Sequence, residues 1–137
     1  MVERFLAVPP VGDEIGAARD WALMHVRNFP WCADWQPDAG SVALVVSELV
    51  TNAQRHGAGS VGLSLVLEES RLRIAVNDES RAQPVICPTA PGKVGGHGLR
   101  IVAKLSGQWG VTLLGAGKQV WAELRPPGPA PTRHAVG

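Results

Sequence analysis

The chain has 137 residues, 45% of them hydrophobic, and its net charge is +1 with the histidines neutral. This length suffices for one domain with a buried core, and the balanced charge offers neither a broad basic surface for nucleic acid nor an acidic surface for a basic partner. Cys32 and Cys87 are isolated, which argues against a disulfide framework and a zinc site. No apolar run is long enough to span a membrane, so we expect a cytoplasmic protein without membrane contact.

The first part of the chain predicts a strand followed by two helices. Residues 3–8, ERFLAV, predict a short first strand that two prolines stop. Apolar and small residues then recur at helical spacing over 15–29, with Asp13 as the expected N-cap. After a loop, SVALVVSELVTNAQRH (41–56) predicts the second helix, with Ser41 as its expected N-cap and glycines after its end.

Two strands should follow, because apolar residues alternate with polar or small ones over 61–67 and over 71–78. In the second of these segments the apolar face consists of Leu72, Ile74 and Val76. The pleat therefore carries Asp78 onto the same inward side. A carboxylate at the end of a buried face needs a partner.

Residues 79–96 contain three prolines and three glycines without a clear period, which predicts a long loop. A short helix over 98–107 and a hairpin over 109–124 come next, and the proline-rich residues 126–137 predict a disordered tail. This order of elements differs from the strand–helix alternation of a parallel sheet. We therefore predict an α+β two-layer sandwich over residues 1–125, with a mostly antiparallel, mixed sheet and helices on one face.

The second helix carries a polar stripe of Glu48, Thr51, Asn52 and Arg55 beside an apolar face. Glu48 and Asn52 are one turn apart, so together they can hold a hard cation or a water molecule, and a glutamate can also accept a proton. A solvated helix face would explain the same stripe.

Two further features have both a functional and a structural explanation. Asp78 suits an N–H group of a ligand such as an amino group of adenine, but it could equally cap a nearby amide. In GKVGGHGLRIV, glycines precede a helix, so backbone amides and the helix N-terminus could bind phosphate with Lys93 as a counter-charge. The same glycines would also suit a flexible connection.

Taken in order, three motifs resemble the GHKL ATPase superfamily and its Bergerat fold. SELVTNAQRHG resembles the N-box, VNDES the first glycine-box region and GGHGLRIV the second. The short loop and the trailing WGV…GKQVWAEL resemble anti-sigma factor serine/threonine kinases of the RsbW and SpoIIAB type, especially the single-domain actinobacterial members. The resemblance covers about residues 4 to 125 and implies that residues 1–125 form a histidine kinase-like ATPase domain.

The resemblance implies ATP and Mg²⁺ as cofactors. Asn52 matches the asparagine that coordinates magnesium, Glu48 the glutamate proposed to take the proton of the attacking hydroxyl, and Asp78 the acceptor for the adenine amino group. The other positions that match residues bordering the nucleotide are Arg55, His56, Ser80, Lys93, Gly96, His97, Gly98 and Leu99. Ser80 stands where the usual motif has a glycine, which implies a weaker or rearranged contact with adenine.

The functional prediction that follows is an anti-sigma factor kinase that transfers phosphate to a serine or threonine of a STAS-domain antagonist and also binds a sigma factor, with a homodimer as the expected assembly. The alternative is a non-catalytic module that binds nucleotide or sequesters a sigma factor or its antagonist. Direct binding of nucleic acid is not expected, because the chain has no basic recognition helix.

Overall fold

The computed structural model describes residues 1–9, 14–31, 35–69, 71–81 and 97–126, and of His97 and Gly98 it describes only the backbone. Five strands form one sheet in the order β1-β2-β3-β5-β4. The strands are β1 (Val2–Val8), β2 (Val61–Glu68), β3 (Arg71–Asp78), β4 (Gln108–Leu114) and β5 (Gly117–Leu124). The predicted α+β sandwich is confirmed, although every strand pair in the described chain is antiparallel rather than mixed.

Three helices accompany the sheet: α1 (Ile15–Asn28), α2 (Ala39–His56) and α3 (His97–Leu105). The predicted cap of α2 is wrong. Asp38 is the N-cap, and its side chain accepts a hydrogen bond from the backbone N–H of Ser41. The helix begins two residues earlier than predicted because Asp38, in extended conformation, satisfies an amide of the first turn. The cap predicted for α1, Asp13, lies outside the described residues.

The core lies between α2 and one face of the sheet. The predicted apolar face of α2 is confirmed, since its residues are at most 3% exposed: Val42, Val45, Val46, Leu49 and Ala53. Alternate residues of β2, β3 and β5 supply the opposing layer, and α1 and α3 pack against α2 on either side. The alternation along β3 therefore places Asp78 on the inward side, as predicted, where the strand faces α2.

Most of the predicted loop, residues 82–96, and nearly all of the predicted tail, residues 127–137, lie outside the described residues. No helix in the described part of the chain is long and apolar enough to cross a membrane.

Candidate functional site

Asp78, the last residue of β3, is 4% exposed and faces inward as predicted. Its neighbour across the β3–β5 pair is Lys118, which is 1% exposed. The Lys118 ammonium lies 3.0 Å from each carboxylate oxygen and donates a hydrogen bond to Oδ1. The partner that a buried carboxylate requires is therefore a lysine on the neighbouring strand.

The two oxygens of the Asp78 carboxylate differ in their partners. Oδ1 accepts from Lys118 and also from the backbone N–H of Ser80, at 2.7 Å. Oδ2 is buried and lies 3.0 Å from the same ammonium, and no other donor among the described residues reaches it. A carboxylate oxygen can accept more than one hydrogen bond, so a donor from a ligand could add to the ammonium at Oδ2.

Two glycines allow other segments to approach Asp78. Gly57 follows the last residue of α2, and a Cβ atom there would lie 2.6 Å from Asp78 Cγ and 2.7 Å from Oδ2. A Cβ on Gly117, the first residue of β5, would collide with the Asp78 carbonyl oxygen. The end of α2 and the start of β5 therefore meet at Asp78 only because neither position has a side chain.

Glu79 connects the end of β3 to the segment between α2 and β2. Its backbone N–H donates to the Ala58 carbonyl at 2.7 Å, and its Oε2 accepts from the Ser60 N–H at 3.1 Å. The hydrogen bond from Ser60 lowers the pKa of Glu79 below its ordinary value of 4.5, because it stabilises the charged carboxylate. These contacts hold the segment after α2 beside Asp78.

The polar stripe of α2 extends away from this junction. Asn52 is buried, at 9% exposure, whereas Glu48 is half-buried one turn earlier. Neither side chain makes a hydrogen bond within the described residues. From Gly57, Asn52 lies about 7.5 Å along the helix axis and Glu48 about 13.5 Å, at 1.5 Å per residue. The carboxamide and the carboxylate therefore remain available to a ligand that extends along α2 from Asp78.

The other predicted site residues differ in how the structure places them. Arg55 and His56 are exposed in the last turn of α2, and Ser80 contributes its backbone N–H to Asp78. Leu99 is 1% exposed and its side chain belongs to the core, so only its backbone can face a ligand. Lys93 and Gly96 lie outside the described residues, and His97 and Gly98 form the first turn of α3.

Sequence reasoning missed Lys118, Gly57, Gly117 and Glu79 as neighbours of Asp78. The sequence pattern could have predicted the inward position of Lys118. This residue occupies the same face of β5 as three buried residues, Val120, Ala122 and Leu124. A lysine in such a register needs an acid opposite it. The glycines and Glu79 carried no comparable signal, because their contacts join segments that are distant in sequence.

The donor set fits a nucleotide with a hard cation better than it fits a transition metal. No group of three or more His, Cys, Asp or Glu side chains in the described residues could hold a metal ion. An amide oxygen of Asn52, with phosphate oxygens and water, is the kind of ligand set that Mg²⁺ prefers. The buried Asp78 Oδ2 fits an N–H donor of a base.

The sequence matches the family model of the histidine kinase-like ATPase domain over residues 14–124. The chain belongs to this family. Its members are ATP-binding domains of the kinase type, and the predicted resemblance to GHKL ATPases is confirmed. The chain has no significant sequence match among curated proteins.

Solved structures share the fold. The RsbU and RsbW domains of Rv1364c from Mycobacterium tuberculosis superpose with a TM-score of 0.64 at 16% identity, over 95% of this chain and 34% of that chain. The histidine kinase domain of the E. coli osmosensor EnvZ superposes with a TM-score of 0.50 at 20% identity, over 91% and 89% of the two chains. This chain thus spans about a third of the mycobacterial structure.

Proposed function

We propose that the chain is an ATP- and Mg²⁺-dependent serine/threonine protein kinase that phosphorylates a STAS-domain anti-sigma antagonist. The observation that carries this proposal is the arrangement along α2. Asp78 lies against Gly57 at the end of the helix, and then Asn52 and Glu48 follow at successive turns. Adenine, phosphates and attacking hydroxyl occur in this same order in a complex of ATP with a hydroxyl substrate.

Each residue has a separate role in this proposal. Asp78 accepts a hydrogen bond from the adenine amino group, and the backbone around Gly98 and Leu99 binds phosphate at the start of α3. Asn52 holds Mg²⁺, which, when bound, supplies positive charge against the phosphate oxygens. Glu48 takes the proton of the attacking hydroxyl. The hydroxyl oxygen forms a bond to the γ-phosphorus as the bond from that phosphorus to ADP breaks and ADP leaves.

The remaining predicted residues border the nucleotide. Arg55 and His56 lie at the base end of α2, and Ser80 lies beside Asp78. The resemblance implies that Lys93, Gly96 and His97 contact the phosphates. The hydrogen bond from the Ser80 N–H to Oδ1 favours a role for the backbone of this residue rather than for its side chain. The resemblance of the three motifs to RsbW-type kinases supports a sigma factor as a further partner, and the mycobacterial structure with the same fold includes an RsbW domain.

The experiment is transfer of labelled phosphate from ATP to STAS-domain proteins in the presence of magnesium, with wild type and Glu48→Ala compared. We expect Glu48→Ala to reduce transfer by about 100-fold or more while ATP still binds, because general-base catalysis contributes roughly that factor. The matched control is Glu3→Ala, a substitution of an exposed glutamate on the edge strand β1, which should leave transfer unchanged.

Glu48 makes no hydrogen bond to a described residue, and a general base is usually oriented by another group. This favours one second candidate, a module that binds nucleotide and sequesters a sigma factor or its antagonist without catalysis. Tight binding of a STAS protein or sigma factor without phosphate transfer under any nucleotide condition would establish that candidate and exclude the kinase.

A further inference from the structure

Lys118 is a buried charge, among the described residues, that the proposed function leaves unused. It stands at an inward position of β5, directly opposite Asp78, with 1% of its surface exposed. A buried ion pair is weak evidence of a stabilising role, because replacing both charges by apolar residues is often neutral or better for stability. The contacts of the Asp78 carboxylate give Lys118 a more specific role.

We propose that Lys118 is a positioning residue of the base site, which fixes the rotation of the Asp78 carboxylate and thereby selects a purine with an exocyclic amino group. This inference rests on the proposed binding of ATP at Asp78. Lys118 acts through Asp78 and makes no contact with the base itself.

Two hydrogen bonds hold the Asp78 carboxylate in one orientation. Lys118 Nζ and the Ser80 N–H both donate to Oδ1, at 3.0 and 2.7 Å. Two donors from different segments fix the rotation of the carboxylate, and among the described residues the Lys118 ammonium, at 3.0 Å, is the one donor near Oδ2. A ligand N–H group can therefore complete the set without displacing either donor.

A carboxylate distinguishes an amino group from a carbonyl oxygen on a base. An ionised carboxylate accepts hydrogen bonds at both oxygens and donates none, whereas a protonated carboxyl has a donor as well. A base that presents an amino group is bound by such an acceptor, whereas one that presents a carbonyl oxygen is repelled.

The test compares two ligands of the full chain by calorimetry: ATP, and purine riboside triphosphate, in which hydrogen replaces the amino group. The variant is Lys118→Met, and the control is Lys104→Met, the same substitution at an exposed lysine of α3. We expect Lys118→Met to weaken ATP binding on the order of tenfold, the value of a hydrogen bond to a charged group, and to leave the affinity for the analogue within about twofold.

Two results for Lys118→Met would overturn the inference. Wild-type affinity for ATP would show that Lys118 is not needed, and equal loss of both ligands would show a general structural role. If wild type itself binds neither ligand, the proposed function fails, and this failure is distinct because it appears before any substitution.

A second variant covers the case in which Lys118→Met does not fold. Asp78→Leu/Lys118→Met removes both charges and the acceptor together and so leaves neither charge buried alone. We expect it to bind ATP and the analogue equally, with wild-type affinity for the analogue. Weaker binding of the analogue would mean that Lys118 acts on another part of the ligand, and retained preference for ATP would mean that the pair does not select the amino group. Either result would overturn the inference.

Discussion

At the scale of single residues, Asp78 and Lys118 occupy inward positions of neighbouring strands whose other inward residues are apolar. Both are almost fully buried, and each is the partner of the other. Burial of two charges has a large desolvation cost, which close pairing and hydrogen bonds offset. Removing one charge is therefore expected to lower the free energy of unfolding more than removing both charges does.

Asp78→Asn should lower the free energy of unfolding by about 3–5 kcal/mol, because it leaves the Lys118 ammonium buried without a counter-charge. Urea denaturation followed by circular dichroism measures this change. Asp78→Asn/Lys118→Met is the comparison, and it should be more stable than Asp78→Asn alone. A double variant less stable than the single one would contradict the pairing.

At the scale of elements, the end of α2 must pack closely on the end of β3. The Gly57 N–H donates to the Ala53 carbonyl at 2.9 Å and ends the helix, while the Gly57 Cα atom faces the Asp78 carboxyl group. The polar stripe of α2 is aligned with the base end of the site only while this contact is kept. Close packing here thus determines the geometry of the candidate site.

Gly57→Ala should destabilise the chain by about 1–3 kcal/mol, because the added methyl group would lie 2.5 Å from the Ala53 carbonyl oxygen and against the Asp78 carboxyl. It should also weaken ATP binding, since α2 must shift away from β3. Thermal denaturation and calorimetry measure the two effects. Gly115→Ala is the control: a Cβ there meets no atom within 4 Å, and the change should stay within about 0.5 kcal/mol.

At the scale of the whole molecule, two carboxylates join segments that are distant in sequence. Glu79 connects β3 to the segment before β2 through its contacts with Ala58 and Ser60. Glu123 on β5 accepts from Arg73 of β3 at 3.1 Å and from Arg125 at 2.9 Å. Burial by itself raises the pKa of Glu123, but the hydrogen bonds from Arg125 and Arg73, together with the positive charges of Arg73 and Arg71, outweigh it and leave the pKa lowered.

Stability should consequently decrease in acid. A carboxyl with a lower pKa in the folded than in the unfolded state contributes stability that is present above the unfolded value and lost as the pH falls through the folded value. We expect the free energy of unfolding to be level above the ordinary value of 4.5 and to fall below it. Urea titrations at stepped pH values measure this dependence.

Glu79→Gln/Glu123→Gln provides the control for that pH dependence. The double variant should be less stable than wild type at neutral pH and should lose less stability on acidification, because two of the titrating groups are gone. If the free energy of unfolding fell equally with pH in wild type and in the double variant, carboxylates other than Glu79 and Glu123 would cause the acid sensitivity.

Much of the fold could be read from the sequence, because the pattern of apolar residues is a local property. The strand β3 and the inward direction of Asp78 follow from strict alternation, and the apolar face of α2 follows from helical spacing. The predicted start of α2 is wrong because Ser41 and Asp38 are both good caps, and the choice between them depends on the backbone conformation of the preceding loop.

The sequence alone determined the order of elements, the two-layer fold and the polar stripe with Glu48 and Asn52, since these depend on periodicity along one chain segment. The tertiary structure decided which residues surround Asp78. Lys118 is opposite Asp78 because of the β3–β5 register, and Gly57 touches it because α2 ends over that pair of strands. Such contacts depend on how strands pair and how a helix lies across them, which no local pattern specifies.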